Sequence, residues 1–166
     1  TVINPIFLHM PLSRFFVVVF LFVGSLGVAA QNIFRTVCQG NLPRLDSLLE
    51  ETSINTQDFR GRSLLHWAVA CRQKEVFDRL VEGGIDINAE DHARETPLHM
   101  AVRFEEEVYY HLLLELQPNE DWIKKYGASL LEKAVLIRSQ PFINLLLTSG
   151  VGIDMVNERG STALEI

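Results

Sequence analysis

Apolar residues recur along this chain three or four positions apart, in short runs separated by polar and glycine-containing turns. This spacing places the apolar side chains of each run on one side of a short helix. The pattern therefore predicts an all-α fold built from short amphipathic helices. The runs lie at 33–38, 45–49, 76–81, 109–114 and 142–147.

A second set of helices is predicted to begin at hydroxyl residues that stand 33 positions apart. Each hydroxyl is suited to the N-cap, where it can accept a hydrogen bond from a free backbone N–H. The residue three positions later is His or Glu, which can reach back to the N-cap backbone. A period near 33 is typical of stacked helical repeats. The blocks are Ser63-Leu-Leu-His-Trp-Ala-Val, Thr96-Pro-Leu-His-Met-Ala-Val, Ser129-Leu-Leu-Glu-Lys-Ala-Val and Thr162-Ala-Leu-Glu-Ile.

The 33-residue period divides the chain into helix-turn-helix repeats that form a solenoid of about four repeats plus a truncated fifth. Because terminal repeats commonly depart from the pattern, the first is interpreted as a capping repeat. The half-repeat at the end leads us to expect that the natural chain continues. The predicted segments are a capping repeat at 31–57, full repeats at 58–90, 91–123 and 124–156, and the start of a truncated repeat at 157–166.

The turns between repeats are predicted from their Asp and Gly residues. Asp58-Phe-Arg-Gly61 joins an Asp that can bond the backbone ahead to a Gly that can adopt positive φ. Arg94 stands where Gly61 stood one repeat earlier, so we expect a distorted turn there. Gly127 predicts that the turn returns in the fourth repeat, followed by a capping box from Ser129 to Glu132.

These residues resemble the ankyrin repeat, whose pattern is Asp-x-x-Gly-x-Thr-Pro-Leu-His-x-Ala, a second helix ending Leu-Leu, and then Gly-x-Asp-x-Asn. The repeat at 91–123 contains the Thr96-Pro-Leu-His99 block, and the repeat at 58–90 contains Gly84-Ile-Asp86-Ile-Asn88. The resemblance implies an elongated stack of helix pairs with turns projecting on one side. It also implies protein recognition on the concave face, without catalysis.

The N-terminal residues predict an export signal. Met10 to Arg14 is a short positive leader, residues 15–30 carry no charge, and the small residues at 28–30 fit cleavage before Gln31. Residues 1–9 precede the plausible start at Met10 and are interpreted as an upstream extension. We expect an exported protein, periplasmic or extracellular. The alternative is an uncleaved membrane anchor, although the apolar segment is shorter than the ~20 residues a spanning helix needs.

The overall charge favours a protein partner. The 166-residue chain is 48% hydrophobic and 22% charged, which suits a packed core. Its formal charge is −6, and Arg14 is the only charged residue before Arg35, so the predicted mature chain carries −7. This balance disfavours nucleic acid or an anionic membrane surface as the main partner. Membrane association is expected only if the N-terminal segment is left uncleaved.

Cys38 and Cys71 also stand one repeat apart. Equivalent positions in neighbouring helices are expected to lie about a helix packing distance apart, ~8–10 Å. A disulfide requires Cα atoms within ~7 Å. We therefore predict two buried free thiols.

The sequence contains no pattern typical of catalysis or of a bound cofactor. His66 and His99 lie one repeat apart and are interpreted as structural residues at helix starts. The histidines and cysteines lack the spacing of a metal site, and no phosphate loop or catalytic triad signature is present. We predict no enzymatic activity, no cofactor and no metal.

The predicted partner-binding surface combines the turns with the residues that follow each helix-start His or Glu. Such a surface is rich in aromatic, Arg and Met side chains, which carry much of the binding energy at protein interfaces. The alternative for Trp67 and Phe104 is packing between repeats. The predicted residues are Phe59, Arg60, Arg62, Trp67, His92, Glu95, Met100, Arg103, Phe104, Lys125, Tyr126 and Lys133.

Two functions fit this sequence. The favoured one is a non-catalytic scaffold that binds another protein on its concave surface. The alternative is a targeting or inhibitory module of a longer protein whose activity lies beyond residue 166.

Overall fold

Helices make up most of the computed structural model, which describes residues 28–117, 121–157, 159–163 and 165. Within these ranges the backbone contains no strand, and its β-type pairing consists of isolated bridges from Gln57 to Ser63 and from Val156 to Thr162. The all-α prediction is confirmed. The helices are α1 (Val28–Gln39), α2 (Leu42–Leu49), α3 (Leu64–Ala70), α4 (Lys74–Glu82), α5 (Pro97–Arg103), α6 (Glu107–Glu115), α7 (Asp121–Leu136) and α8 (Gln140–Thr148).

The helices pack as consecutive pairs. Each odd-numbered helix contacts the even-numbered helix that follows it, and α1, α3, α5 and α7 also contact one another in sequence. Every residue of α3 is buried because this helix has neighbours on both sides of the stack. The predicted solenoid of helix-turn-helix repeats is therefore observed.

The predicted signal segment lies mostly outside the described residues, which begin at Val28. Helix α1 starts three residues before the predicted mature N-terminus, Gln31. Its buried apolar side chains include Ile33, Phe34 and Val37, which all follow that point. Within the described part of the chain, no helix has the length and apolar character needed to cross a bilayer.

A side-chain acceptor at the first position closes each projecting turn. The Asp58 Oδ1 accepts the backbone N–H groups of Arg60 and Arg62 at 2.8 and 2.9 Å. The Asp91 Oδ1 accepts those of Ala93 and Glu95 at the same distances. In the fifth repeat, Asn157 plays the same part toward residues 159 and 161. We call these three segments, 58–62, 91–95 and 157–161, the finger turns.

The expected distortion at Arg94 was wrong. Arg94 adopts a φ of 61° and its N–H reaches the Asp91 carbonyl at 2.8 Å, as the N–H of Gly61 reaches the Asp58 carbonyl at 2.9 Å. A positive φ is costly for a residue with a Cβ, but only by about 1–3 kcal/mol. The two hydrogen bonds to Asp91 hold the backbone in place, so the turn forms without glycine.

The predicted fourth finger turn was also wrong, as was the capping box from Ser129 to Glu132. Helix α7 runs without a break through this segment, and Gly127 lies inside it. The residue one repeat after Asp91 is Lys124, which has no acceptor atom for the turn. Without that acceptor the backbone continues as helix. Gly127 instead allows close packing, since a Cβ there would meet the Val151 methyl groups at 3.3 Å.

Asp91→Ala should lower the free energy of unfolding by about 1–2 kcal/mol, because two backbone N–H groups lose their acceptor. Asp91→Asn keeps an oxygen at the same position and should cost less than half as much. Urea melts of both variants test this. Equal losses in the two variants would mean that the charge of Asp91, rather than its turn-closing oxygen, is what matters.

The prediction of free thiols was wrong, because Cys38 and Cys71 form a disulfide. Their Cα atoms lie 5.1 Å apart, which is closer than the usual packing distance of ~8–10 Å between helix axes. Cys38 lies near the end of α1 and Cys71 is the C-cap of α3, so both cysteines lie at the C-terminal ends of their helices. The Gln73 Nε2 joins the same contact and donates to both cysteine carbonyls at 3.2 Å.

Candidate partner-binding surface

The finger turns border two adjoining grooves. The first groove has a volume of about 410 Å³ and lies between the turns at 58–62 and 91–95. The second has a volume of about 350 Å³ and lies between the turns at 91–95 and 157–161, where the fourth turn is missing. Ala93 and Glu95 line both grooves. The two grooves therefore form one continuous surface along the stack.

Most of the predicted binding residues line these grooves. The first groove contains Arg60, Arg62, His92, Glu95, Met100 and Arg103. The second contains Glu95 again, together with Lys125, Tyr126 and Lys133. Phe59, Trp67 and Phe104 line neither groove. Phe59 is exposed on its turn, and Phe104 is a partly buried C-cap of α5.

Trp67 lies in the core, which favours packing between repeats over partner contact. Its side chain is 5% exposed and its ring lies 6.1 Å from that of Phe34 in the preceding repeat. The indole N–H donates to the Asp58 Oδ2 at 3.1 Å, and the Arg62 guanidinium lies 4.3 Å from the ring centre. Trp67 thus stabilises the first finger turn through its contacts with Asp58 and Arg62. Met100 is also almost fully buried, at the floor of the first groove.

Glu95 connects the two grooves electrostatically. It is buried, and its Oε1 accepts from the Arg103 Nη2 at 2.6 Å and also pairs with the Lys133 Nζ. Arg103 belongs to α5 and Lys133 to α7, so one carboxylate joins two repeats. Removing one partner of such a buried ion pair lowers the free energy of unfolding by more than the intact pair contributes to it.

A second polar cluster lines the second groove. The Glu90 Oε1 accepts from the Lys125 Nζ and from the Tyr126 hydroxyl, each at 3.1 Å. Partial burial acts to raise the pKa of Glu90, but these hydrogen bonds outweigh it and lower the pKa. Burial raises the pKa of the Tyr126 hydroxyl above its usual range. The phenol is therefore a neutral donor at neutral pH.

Sequence reasoning missed several residues of the second groove. These include Glu90, Lys124, Glu132 and Arg159. The signal that could have found them was Lys124, since its lack of an acceptor predicts a missing finger turn.

The two helix-start histidines link neighbouring repeats. The His66 Nδ1 accepts the N–H of Ser63 at 3.0 Å, which leaves a proton on Nε2 to donate to the Glu95 carbonyl at 2.9 Å. The His99 Nδ1 accepts the N–H of Thr96 at 3.2 Å, and its Nε2 bonds the Ser129 Oγ at 2.8 Å. Their predicted structural role is confirmed.

Burial lowers the pKa of both histidines. Desolvation, followed by the charge of Lys133, lowers the pKa of His99 from 6.5 to about 4, and desolvation also lowers that of His66. Both rings are neutral at neutral pH, as their hydrogen bonds require. In the described part of the chain, no group of three or more His, Cys, Asp or Glu side chains is placed to hold a metal ion.

Stability should therefore fall as the pH drops from 6.5 towards 4. In this window the unfolded chain binds a proton at His99 that the folded chain does not, and the full effect is about 3 kcal/mol. His99→Gln keeps an acceptor for Thr96 but does not titrate, so its unfolding free energy should change less between pH 7 and pH 4. Urea melts at the two pH values measure the difference. If the unfolding free energy of the two proteins changed equally between pH 7 and pH 4, the effect could not be attributed to His99.

This architecture defines a helical-repeat solenoid, and comparison with known proteins identifies its family. Residues 33–121 match the family model described as "Ankyrin repeats (3 copies)". The chain belongs to the ankyrin repeat family.

Among curated proteins, the chain is similar to the human neurogenic locus notch homolog protein 1, at 32% identity over 119 residues. The zebrafish protein of the same name is 31% identical over 111 residues. These matches cover 70% and 66% of this chain but only 5% of each relative. The putative ankyrin repeat protein FPV233 of fowlpox virus is 43% identical over 60 residues, which are 34% of this chain and 12% of that protein. The chain therefore matches a small part of each of these relatives.

Proposed function

We propose that this chain is a non-catalytic scaffold that binds another protein along its two grooves, on the side from which the finger turns project. Ankyrin repeats are generally protein–protein interaction modules, and the family is typically non-catalytic. The observation that carries the proposal is the continuity of the grooves through Ala93 and Glu95. An extended partner surface can contact several repeats at once along such a path.

The chemistry of the grooves supports this proposal. Arg, Tyr and Met side chains are enriched at protein interfaces, and the grooves contain Arg60, Arg103, Tyr126 and Met100. The ion pairs of Glu95 hold Arg103 and Lys133 in fixed positions before any partner arrives. A preorganised surface loses less conformational freedom on binding.

Site-specific photo-crosslinking tests the proposal. A photo-reactive phenylalanine analogue placed at His92, which is exposed in the first groove, should crosslink a partner protein from the native source. The matched control carries the same group at Glu75, an exposed residue of α4 that lines neither groove. A partner captured equally well from both positions, or only from Glu75, would place binding elsewhere.

A second candidate function is a targeting or inhibitory module within a longer polypeptide. The small share of the human and zebrafish relatives that this chain matches supports it. An antibody raised against the repeats should then detect a native polypeptide well above 18.9 kDa. A native band at or below that mass would argue for the scaffold alone.

We also propose export to an oxidising compartment, periplasmic or extracellular. The apolar segment at 15–30 and the Cys38–Cys71 disulfide support it, because disulfides persist mainly outside reducing cytosol. Cleavage before Gln31 would remove only the first three residues of α1. Mass analysis of the native protein should find Gln31 at the N-terminus. A mature chain that retains residues 15–23 would indicate a membrane anchor.

A further inference from the structure

The second groove is a consequence of the missing finger turn. Helix α7 occupies the fourth repeat where a turn would project, so the turns at 91–95 and 157–161 border a gap between them. The floor of the gap contains Tyr126, which is buried against α5 through an edge contact of its ring with His99 at 5.6 Å. An extended peptide can enter such a gap where a regular stack would present a turn.

In the described part of the second groove the negative side chains all have partners, but some of the positive ones do not. Among the described side chains that line it are five cations and three carboxylates. Each carboxylate already has a partner: Glu90 is held by Lys125, Glu95 by Lys133, and Glu132 by the Asn157 Nδ2 at 2.7 Å.

Arg94 pairs with Glu90 at 3.7 Å, so two of the described cations of the groove remain without a carboxylate partner. Lys124 is exposed on α7, and Arg159 is exposed on the last finger turn. Neither has a carboxylate within 4 Å among the residues that the structure describes. The groove is thus locally positive in a protein whose formal charge is −6. At physiological ionic strength, charges are screened beyond about 8 Å, so a ligand in the groove is governed mainly by these nearby side chains.

We propose that the second groove binds an acidic segment of the partner protein, with Asp or Glu carboxylates paired to Lys124 and Arg159. This inference rests on the proposed scaffold function and names the chemistry of its partner. The complementary charges select the acidic segment, and the phenol ring of Tyr126 offers an apolar floor to its backbone. Nucleic acid is disfavoured because its long anionic backbone would also meet the net negative remainder of the surface.

Selection from a phage-displayed library of random 12-residue peptides tests the proposal on the whole chain. Peptides selected on the native protein should be enriched in Asp and Glu. A selected peptide, synthesised with a fluorescent label, should bind Lys124→Glu/Arg159→Glu at least tenfold more weakly in anisotropy titrations. Its affinity for the native protein should also fall as salt is raised from 50 to about 300 mM.

The matched control is Arg35→Glu/Arg44→Glu, which makes the same change in net charge at exposed residues of the first repeat. It should keep the affinity within twofold. Helix content by circular dichroism should be unchanged in both variants, since Lys124→Glu places an acidic residue in the first turn of α7, where it is favourable.

If both double variants weakened peptide binding equally, overall charge would explain the effect, and the proposal would be overturned. Selected peptides without Asp or Glu enrichment would overturn it as well, while partner crosslinking at His92 would leave the scaffold function standing. If no peptide bound at all, the result would also count against the second groove as a binding site. If crosslinking at His92 failed as well, the two results together would count against the proposed scaffold function.

Discussion

Trp67→Ala is expected to lower the free energy of unfolding by about 3–5 kcal/mol, the usual cost of removing a large buried aromatic side chain. The indole is 5% exposed and packs against Phe34, so the change opens a cavity between the first two repeats. It also removes the N–H that donates to Asp58 in the first finger turn. The measurement is a urea melt, with the midpoint and slope both fitted.

Two further variants make this test specific. Trp67→Phe keeps an aromatic ring but loses the N–H, so it should cost about 1–2 kcal/mol. Phe59→Ala removes an aromatic ring from the exposed part of the same turn and should cost less than about 1 kcal/mol. If Trp67→Ala lowered the free energy of unfolding by less than about 1 kcal/mol and also weakened partner capture, Trp67 would be a binding residue after all.

Removing the disulfide is expected to have a similar effect. Cys38→Ser/Cys71→Ser should lower the free energy of unfolding by about 3–4 kcal/mol, because the bond closes a loop with a sequence separation of 33 residues in the unfolded chain. Partial burial of both cysteine side chains adds the smaller cost of placing a hydroxyl there.

Reduction of the native protein with dithiothreitol should reproduce most of this loss and should leave the double variant unaffected. Alkylation under denaturing conditions without reductant reports the bond itself. Labelling of both thiols in freshly isolated native protein would restore the original prediction of free cysteines.

The helices were predictable because their signals are local. The run of apolar residues at 76–81, with its glycine stop, predicts a helix at about 74–82, and α4 spans Lys74–Glu82. Ser63 and Thr96 cap helices that begin one residue later. Repetition of these signals every 33 residues then determines the stack, since each pair can bury its apolar side only against the next.

The finger turns were less predictable because the prediction gave glycine as much weight as the side-chain acceptor. Arg94 forms the turn without glycine, and Gly127 does not form one. What the three observed turns share is an oxygen at the first position, from Asp58, Asp91 or Asn157. The side-chain hydrogen bonds to this oxygen outweigh the conformational cost of a positive φ.

The candidate site was predicted in outline but not in its details. Turn residues such as His92 are exposed wherever a turn projects, so their position follows from the repeat alone. Burial of Trp67 and Met100 depends on how closely neighbouring repeats approach, which a spacing of 33 does not specify. The disulfide depends on the same approach: the predicted distance was that between helix axes, whereas the cysteines lie at the C-terminal ends of their helices.

The disulfide also gives the stack a mechanical asymmetry. A force applied to the two ends of the chain passes directly from Cys38 to Cys71 through the covalent bond, and the segment between them carries no load. A sequence separation of 33 corresponds to about 110 Å of contour length in a fully stretched chain, and this length becomes available only when the bond is reduced. Under tension, helices α2 and α3 are therefore shielded, whereas α1 and α4 to α8 lie outside the bonded loop and can be unravelled by the pull.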